Sequence, residues 1–314
     1  MNVSVIIPIY NASAFLKKAV KSAVELEEVK EIFLIEDGST DNSLEVCKIL
    51  ETEYPKVHLL QHPDKKNHGA GKTRNLGLEK ATQEFIAFLD ADDYYLPNRF
   101  KIEKEILKNP TIEGVFNAIG TDFLSDKGKK EFKEKFTSGD LTTVKHHAEG
   151  REVFHGLLGI DKTFGTFFHL NGLTVRRETI RKNNLQFNEK LRVHQDSDFI
   201  IKLSYTCYLK SGSIIEAVAM RGVHDDNRIT KIKNYSSKYY YNNFLLQHSL
   251  WSWSKEKKLE RQYSNLLKLQ YVSFKTANLN GIEKYLYYFS HLIANPKLLK
   301  TRYRFNAFNR HQND

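Results

Sequence analysis

The chain has 314 residues, 40% of them hydrophobic, and a formal net charge of +10 at pH 7. This length suits one large domain or two modest ones with a buried core. The two cysteines, Cys47 and Cys207, lie far apart, which excludes a disulfide framework and a cysteine metal site and favours a reducing compartment. We find no signal-peptide pattern and no run of about 18 uncharged apolar residues, so we expect neither a leader nor a membrane-spanning helix.

Short apolar runs alternate with helical patterns over the first 120 residues, which is typical of βαβ units and a parallel sheet. The predicted strands are Val3–Ile7, which we expect Pro8 to end, and then Ile32–Ile35, Val57–Leu60, Phe85–Leu89 and Gly114–Ile119. The predicted helices are Ser13–Val24, Ser43–Leu50, Gly69–Lys80 and Arg99–Lys108.

The pattern weakens after Gly120. We predict a turn at Asp126–Lys129, a helix over Thr143–Leu158, a strand at Leu170–Val175, a helix over Gln195–Tyr205 and a strand at Ile214–Met220. From Tyr235 onward, helical patterns dominate.

The basic excess lies in the last part of the chain. Residues 231–314 hold fifteen Lys and Arg against four Asp and Glu, which gives +11 and leaves −1 for the rest. The same segment has ten of the sixteen tyrosines. A basic, aromatic segment suits an anionic surface: a membrane face, a lipid-linked phosphate or a nucleic acid. The alternative is a helical cap whose aromatic rings pack on the rest of the protein, and the sequence holds no recognised nucleic-acid module.

Carboxylates follow two of the predicted strands. Asp90, Asp92 and Asp93 come directly after Phe85–Leu89, and Asp37 follows the second strand. The carboxyl ends of parallel strands meet at one rim of the sheet, where ligands bind. Hard oxygen ligands suit Mg²⁺ or Mn²⁺ and, through them, a phosphate-bearing substrate. The alternatives are a solvated turn that caps the next helix and, for Asp37, an ordinary turn residue.

The glycine-rich segment Gly69–Thr73 is similar to a phosphate-binding loop but does not match one. Such a loop needs a glycine five positions before Gly71, where this chain has Lys66. We therefore reject an ATPase. The glycines still allow backbone N–H groups at a helix start to approach an anion, and Arg74 in the first turn could reach a carboxylate or a nucleotide.

Four segments in this order resemble family 2 glycosyltransferases of the GT-A fold: Val3–Asn11, Glu36–Asp41, Asn67–Gly77 and Asp90–Asp93. Thr73 stands where the family usually has alanine. The resemblance implies an α/β fold with a GT-A-type nucleotide-binding mixed sheet flanked by helices. It also implies a nucleotide-sugar donor, usually a UDP-sugar, and Mg²⁺ or Mn²⁺ on its diphosphate.

The resemblance assigns the nucleoside part of the donor to residues after the first two strands and in the third helix. It implies a base pocket lined by Pro8, Ile9 and Tyr10. Asp37 would bind the uracil, and Arg74 would brace the base-binding carboxylates.

The ribose, diphosphate and metal fall to the acidic cluster and a later loop. By the resemblance, Asp90 faces the ribose, Asp92 coordinates the metal, and Asp93 holds the loop or faces the donor sugar. His224 would ligate the metal or donate to the leaving phosphate, and Arg228 would pair with the phosphate. The alternative for the later loop is a strand-end turn with exposed charges.

The resemblance is weaker in the second half of the chain, where the family places its catalytic base in a Glu-Asp pair that opens a helix. Here Gln195 replaces the Glu and Asp196 keeps the position of the base. A positioned Asp can take the proton of an attacking hydroxyl. The alternatives are an N-cap for Asp196 and a solvated first-turn charge for Asp198.

We therefore expect a catalytic domain over residues 1–230, with a donor half at about 1–120 and an acceptor half at about 121–230, followed by a helical, basic extension at 231–314. The expected reaction is inverting transfer of a hexosyl or N-acetylhexosaminyl group to a hydroxyl of a glycan or lipid-linked glycan. The expected setting is synthesis of bacterial surface polysaccharide or lipopolysaccharide, in the cytoplasm or at the inner face of the membrane. We expect no nucleic-acid partner.

Two other functions were weighed. A sugar-phosphate nucleotidyltransferase should carry a glycine-rich basic loop after its first strand, where this chain has Pro8–Asn11. A non-catalytic nucleotide-sugar-binding protein would keep the fold without its carboxylates, whereas Asp37, Asp90, Asp92 and Asp196 are all present.

Overall fold

The computed structural model describes residues 1–135, 141–165, 167–225 and 234–308. The chain divides into two compact units. The first unit comprises Met1–Arg192 and Phe199–Asp226, and the second comprises Val193–Asp198 and Asn227–Asp314. We predicted a single boundary between residues 230 and 231. The two units part at Asp226 and Asn227, and a short segment that we had placed in the acceptor half belongs to the second unit.

The first unit holds the strands and most of the shorter helices. Its strands are β1 (Val3–Ile9), β2 (Val29–Glu36), β3 (Val57–Gln61), β4 (Phe85–Phe88), β5 (Tyr94–Tyr95), β6 (Gly114–Phe116), β7 (Gly120–Phe123), β8 (Leu173–Arg176), β9 (Leu209–Ser211) and β10 (Ala219–Val223). Its helices are α1 (Leu16–Val24), α2 (Ser43–Glu53), α3 (Ala70–Lys80), α4 (Lys101–Ile106), α5 (Asp126–Lys135), α6 (Arg151–Leu157), α7 (Arg177–Lys182) and, from Phe199 on, α8 (Gln195–Thr206).

The main sheet is mixed and has the strand order β3-β2-β1-β4-β8-β6-β9. Strands β1 to β4 are parallel to one another, and β8 runs antiparallel to both β4 and β6. A smaller sheet has the order β5-β10-β7. The long apolar runs of β1 and β4 are buried throughout most of their length, as expected of central strands covered on both faces. The predicted α/β class and mixed sheet are confirmed.

Strand β1 continues through Pro8 to Ile9, so the prediction that Pro8 ends it is wrong. The even-numbered residues of β1 turn their backbone groups toward β4, since Ile6 accepts a hydrogen bond from the Leu89 N–H at 3.1 Å. Pairing with β4 stops at Ile6, while pairing with β2 continues to Ile9. At Pro8, the edge of β1 that faces β4 has no partner strand left. A backbone N–H there would have no ladder hydrogen bond to make, so the strand accommodates a proline, which lacks that group.

Three predicted elements after Gly120 differ from the structure. Residues 126–129 begin helix α5, not a turn, because the Ser125 Oγ accepts from the Gly128 N–H at 3.0 Å as an N-cap. Helix α6 begins only at Arg151, after Gly150 with φ of 54°. Strand β10 begins at Ala219 because Ser213 and Glu216 close a side-chain–backbone turn before it.

A continuous apolar core lies among the strands and helices of the first unit. It includes Val5, Ile7, Leu34 and Ala87 of the central strands. Both cysteines are free and belong to this unit, Cys47 within the core cluster and Cys207 buried at the end of α8. Burial raises the pKa of each thiol to about 12.

The second unit is helical, as predicted from Tyr235 onward. Its helices are α9 (Ser237–Glu256), α10 (Arg261–Ala277), α11 (Gly281–Ala294) and α12 (Thr301–Phe308). The core of this unit joins Leu269 and Val272 of α10 to Tyr288 of α11 and Tyr303 of α12. Among the described residues, every helix is too short or too polar to cross a bilayer.

Candidate functional site

The loops that follow β1 and β2 are tied together by short polar side chains. The Asn11 N–H donates to the Ser39 Oγ at 3.0 Å, and the Thr40 N–H donates to the Asn11 Oδ1 at 2.8 Å. Asn11 has φ of 50°, a left-handed conformation that asparagine tolerates better than most residues. The two loops therefore form one rigid rim at the carboxyl ends of neighbouring parallel strands.

Asp37 lies at this rim, directly after β2, and is buried. Its carboxylate accepts from the backbone N–H groups of His68 at 2.7 Å and Gly69 at 2.8 Å. Gly69 precedes α3 with φ of 88°, which only glycine adopts without strain. The His62 Nε2 lies 3.5 Å from the Asp37 Oδ1, and burial, reinforced by the charge of His68, lowers the pKa of His62. Asp37 therefore fixes the start of α3 at the position where the resemblance places the uracil base of the donor.

Arg74 and Asp90 form an ion pair between α3 and the end of β4. The Arg74 Nη2 donates to the Asp90 Oδ1 at 2.5 Å, and the guanidinium lies 5.5 Å from the centre of the Phe187 ring. The His169 Nε2 lies 3.9 Å from the Asp90 Oδ2. Burial alone would raise the pKa of Asp90, but the charges of Arg74 and His169 outweigh it, so the pKa lies below its ordinary value. Asp90 is thus kept ionised.

Asp93 is 3% exposed and serves as an acceptor inside the protein. Its carboxylate accepts from the Asn171 Nδ2 and, at 2.8 Å, from the Gly222 N–H. The Asn171 Oδ1 in turn accepts from the Asp90 N–H at 3.1 Å. Burial and the negative charge of Asp92 raise the pKa of Asp93 well above its ordinary value. Of the two roles that the sequence left open for Asp93, these contacts favour holding the loop.

Asp92 faces the loop that follows β10. Its Oδ2 lies 3.3 Å from the His224 Nε2, and the His224 ring packs on Phe15 with 4.5 Å between ring centres. Gly222 allows this approach, because a Cβ built there would lie 2.3 Å from the Asp92 carbonyl oxygen. A residue with a side chain at position 222 would push the two segments apart.

Two sets of side chains fit a divalent cation. Asp92 and His224 offer a carboxylate oxygen and an imidazole nitrogen within reach of one ion. Asp90, Asp93 and His169 form a second set whose ligand atoms lie within 4.8 Å of one another. In this second set, the Asp90 Oδ1 and both Asp93 oxygens also accept hydrogen bonds, from Arg74, Asn171 and Gly222. Each set offers oxygen and nitrogen donors that suit a divalent cation.

The remaining predicted site residues differ in burial. At the end of β1, Ile9 is buried and Pro8 is half-buried, and Tyr10, which follows the strand, is exposed. Asp196 lies in the first turn of α8, in the second unit, and its Oδ1 accepts from the Ser197 N–H at 2.9 Å. Arg228 lies outside the described residues.

Asp198 differs from its expected solvated position. It is fully buried, and its Oδ1 accepts from the Ser249 Oγ at 2.6 Å. A charge in the first turn is solvated only when that face of the helix is open to water, and here α9 supplies a hydroxyl instead.

Asn171 and Gly222 were missed in the sequence, although both hold the acidic turn in place. The signal for Asn171 was a polar side chain inside the apolar run that we predicted as Leu170–Val175. The structure has a 3₁₀ turn at Leu170–Gly172 before β8 begins. His169 also lies beside Asp90, at the residue just before this turn.

Comparisons with known proteins bear on the family and the fold of the chain. The sequence model of Glycosyl transferase family 2 matches residues 4–157. The uncharacterized glycosyltransferase YibD of Escherichia coli is 33% identical over 195 residues, which cover 62% of this chain and 53% of YibD. The chain thus spans about half the length of that relative.

Solved structures share the fold at low sequence identity. Staphylococcus aureus TarS 1–349 in complex with UDP-GlcNAc superposes with a TM-score of 0.60 at 17% identity, over 98% of this chain and 78% of TarS 1–349. The mannosyltransferase PcManGT from Pyrobaculum calidifontis, in complex with GDP-Man and Mn²⁺, gives 0.51 at 15% identity, over 98% and 83% of the two chains. Through residues 4–157 this chain belongs to glycosyl transferase family 2, and its fold is that of the GT-A glycosyltransferases.

Proposed function

We propose that the protein is an inverting glycosyltransferase that moves a sugar from a UDP-sugar to a hydroxyl group of a glycan or lipid-linked glycan. The observation that carries this proposal is that three acidic groups follow two parallel strands, β2 and β4, which flank β1 in the sheet. Asp37 supports the start of α3, Asp90 pairs with Arg74, and Asp92 meets His224. Ligands of open α/β sheets bind at this edge.

The donor assignment comes from the resemblance to the family. By that resemblance Asp37 binds the uracil and Asp90 faces the ribose, and Pro8, Ile9 and Tyr10 line the base pocket. A carboxylate can accept hydrogen bonds from a base N–H or a ribose hydroxyl, which supports the first two roles. Two solved structures of the same fold contain UDP-GlcNAc and GDP-Man, which supports a nucleotide-sugar donor. Arg228 would pair with the diphosphate.

Asp92 and His224 would hold Mg²⁺ or Mn²⁺. When bound, this ion neutralises negative charge on the diphosphate leaving group. We assign Asp93 no direct contact with the ion or the donor. Its oxygens instead hold the Asp90–Asp93 turn by accepting hydrogen bonds from Asn171 and Gly222.

Asp196 would act as the general base. The acceptor oxygen attacks the anomeric carbon on the face opposite the nucleoside diphosphate, and the bond to the leaving oxygen breaks as the new C–O bond forms. Asp196 takes the hydroxyl proton on a carboxylate oxygen. We further propose a role in bacterial surface polysaccharide or lipopolysaccharide synthesis, with the C-terminal extension at an anionic membrane surface on the cytoplasmic side.

A panel of nucleotide sugars with Mg²⁺ or Mn²⁺ tests the reaction. The wild-type protein should release UDP from one donor, and Asp92→Ala should abolish metal-dependent donor binding measured by calorimetry. Asp196→Asn should bind donor normally yet transfer about 10²–10⁴-fold more slowly, the usual contribution of a general base. Analysis of the product anomer by NMR tests inversion.

Asp126→Ala is the matched control, because Asp126 is an exposed acid at the start of α5. It should leave binding and transfer unchanged. Normal transfer by Asp196→Asn would show that the general base lies elsewhere. If the wild-type protein released UDP from none of the nucleotide sugars, the proposed reaction as a whole would be contradicted.

A further inference from the structure

Helix α11 exposes an apolar stripe to solvent. Ile282, Leu286, Phe289 and Ile293 are 76%, 64%, 53% and 86% exposed. Their spacing of four, three and four residues places them along one narrow face of a helix, and we call these four residues the outer stripe. A continuous exposed apolar face of this kind marks an interaction surface, whereas single exposed apolar residues are ordinary.

The opposite side of α11 anchors the helix to the core of its own unit. Tyr288 is 2% exposed and packs with Leu298 and Tyr303. Its hydroxyl donates to the Leu298 carbonyl oxygen at 2.8 Å. Rotation of the helix to bury the outer stripe would therefore extract Tyr288 from the core. The orientation of the stripe is fixed by the packing of the unit.

The chain segment that holds the outer stripe is basic. Residues 281–308 contain five Lys and Arg and one acid, Glu283. The side chains of Lys297, Lys300, Arg302 and Arg304 are exposed. A basic unit with an exposed apolar helix face matches the anionic head groups and the acyl boundary of a membrane. Two copies meeting through this face would bring like charges together, which disfavours self-association.

We propose that the outer stripe of α11 docks this unit on an anionic membrane, with the four apolar side chains at the acyl boundary and the positive charge of the unit attracted to the head groups. The inference assigns a specific face to the membrane contact of the proposed function and rests on that part of it. The helix lies in the plane of the interface and does not span the bilayer, in agreement with its 14 residues.

Flotation with vesicles tests the docking face. Vesicles of phosphatidylcholine with and without phosphatidylglycerol are mixed with the full chain, and the bound fraction is measured. The wild-type protein should bind the anionic vesicles. Ile293→Ser should weaken this binding about tenfold, as expected for one large apolar side chain removed from a buried position.

Ile215→Ser is the matched control. Ile215 belongs to the first unit and is 87% exposed, almost the same as Ile293, so the two changes remove equal exposed side chains. The control should bind vesicles like the wild-type protein. Equal vesicle binding by Ile293→Ser and the wild-type protein would overturn the proposal.

Two further measurements complete the test. Light scattering reports the oligomeric state, and a dimer that Ile293→Ser dissociates in the absence of vesicle binding would assign the stripe to a second copy and overturn membrane docking. UDP release from the donor, measured without vesicles, should be the same for Ile293→Ser and the wild-type protein. Vesicle binding without any UDP release would contradict the proposed reaction and leave the docking face standing.

Discussion

At the scale of single residues, Asp93 shows that membership of a sequence motif does not reveal the role of a side chain. Asp90, Asp92 and Asp93 form one acidic motif, and the sequence predicted their common location at the end of a strand. Their different surroundings come from segments far along the chain: Arg74 at Asp90, His224 at Asp92 and Asn171 at Asp93. The local sequence pattern predicted that the three acids lie together, but their individual hydrogen-bond partners, and so their roles, are decided by tertiary packing.

Asp93→Asn should destabilise the protein despite its similar shape. The Asn171 amide cannot rotate to compensate, because its Oδ1 already accepts from the Asp90 N–H. Whichever way the new amide turns, its NH₂ faces a donor where Asp93 now accepts, either the Asn171 NH₂ or the Gly222 N–H. The cost is about 1–3 kcal/mol for an unsatisfied buried group. Urea unfolding followed by circular dichroism should show a lower midpoint.

The control for this change is Asp126→Asn, at the exposed start of α5, which should not move the urea midpoint. An Asp93→Asn protein as stable as the wild type would mean that the bond from Asn171 contributes nothing to holding the acidic turn.

At the scale of elements, the main strands and the first helix of the first 120 residues followed their local patterns, since β1 and β4 are apolar runs and α1 buries one apolar face. Elements after Gly120 depended on features that apolar spacing does not reveal. A serine cap started α5, a glycine with φ of 54° delayed α6, and the Ser213 turn delayed β10. Predicted boundaries failed where a side chain or a glycine redirected the backbone.

Glu31 joins three elements and should make their union sensitive to acid. Its carboxylate in β2 accepts from the Ser4 Oγ of β1 at 2.5 Å and from the Thr82 N–H and hydroxyl at 2.6 and 2.8 Å, just before β4. Burial alone would raise the pKa of Glu31, but these donors outweigh it and lower the pKa below 4.5. Stability from Glu31 is therefore present above pH 4.5 and is lost as the pH falls through the lowered value.

Glu31→Gln should be less stable than the wild type at neutral pH, because hydrogen bonds to a neutral amide are weaker than the charge-assisted bonds that the carboxylate accepts. The difference in urea midpoint should shrink once the pH drops below 4.5, since the wild-type carboxyl then also becomes protonated. A gap that stays constant from neutral to acid pH would contradict the assigned ionised state.

At the scale of the whole molecule, composition predicted a near-neutral body and a basic extension, and the structure divides into two compact units. Residues Val193–Asp198 are the exception, because they group with the second unit although the chain returns to the first at Phe199. Such a grouping depends on contacts between distant segments, here Ser249 with Asp198, and has no signature in local composition.

The two kinds of anionic partner should respond differently to salt. Attraction of the basic extension to duplex DNA would rest on charge alone, and rising salt weakens such binding steeply. Binding to anionic vesicles also removes the outer stripe from water, which salt does not screen. Fluorescence anisotropy with DNA and flotation with vesicles, compared across a severalfold rise in salt, should show DNA binding lost and part of the vesicle binding retained. DNA binding that survives the same rise would contradict the membrane assignment.

The two cysteine thiols can report local unfolding of the first unit. Cys47 and Cys207 lie in α2 and at the end of α8, and their raised pKa near 12 keeps both thiols protonated and unreactive in the closed state. Any alkylating reagent that marks them must wait for the first unit to unfold locally or globally. The rate of alkylation in the wild-type protein, followed by mass spectrometry, would thus measure how often the unit that holds Asp37, Asp90 and Asp92 unfolds, with no engineered probe.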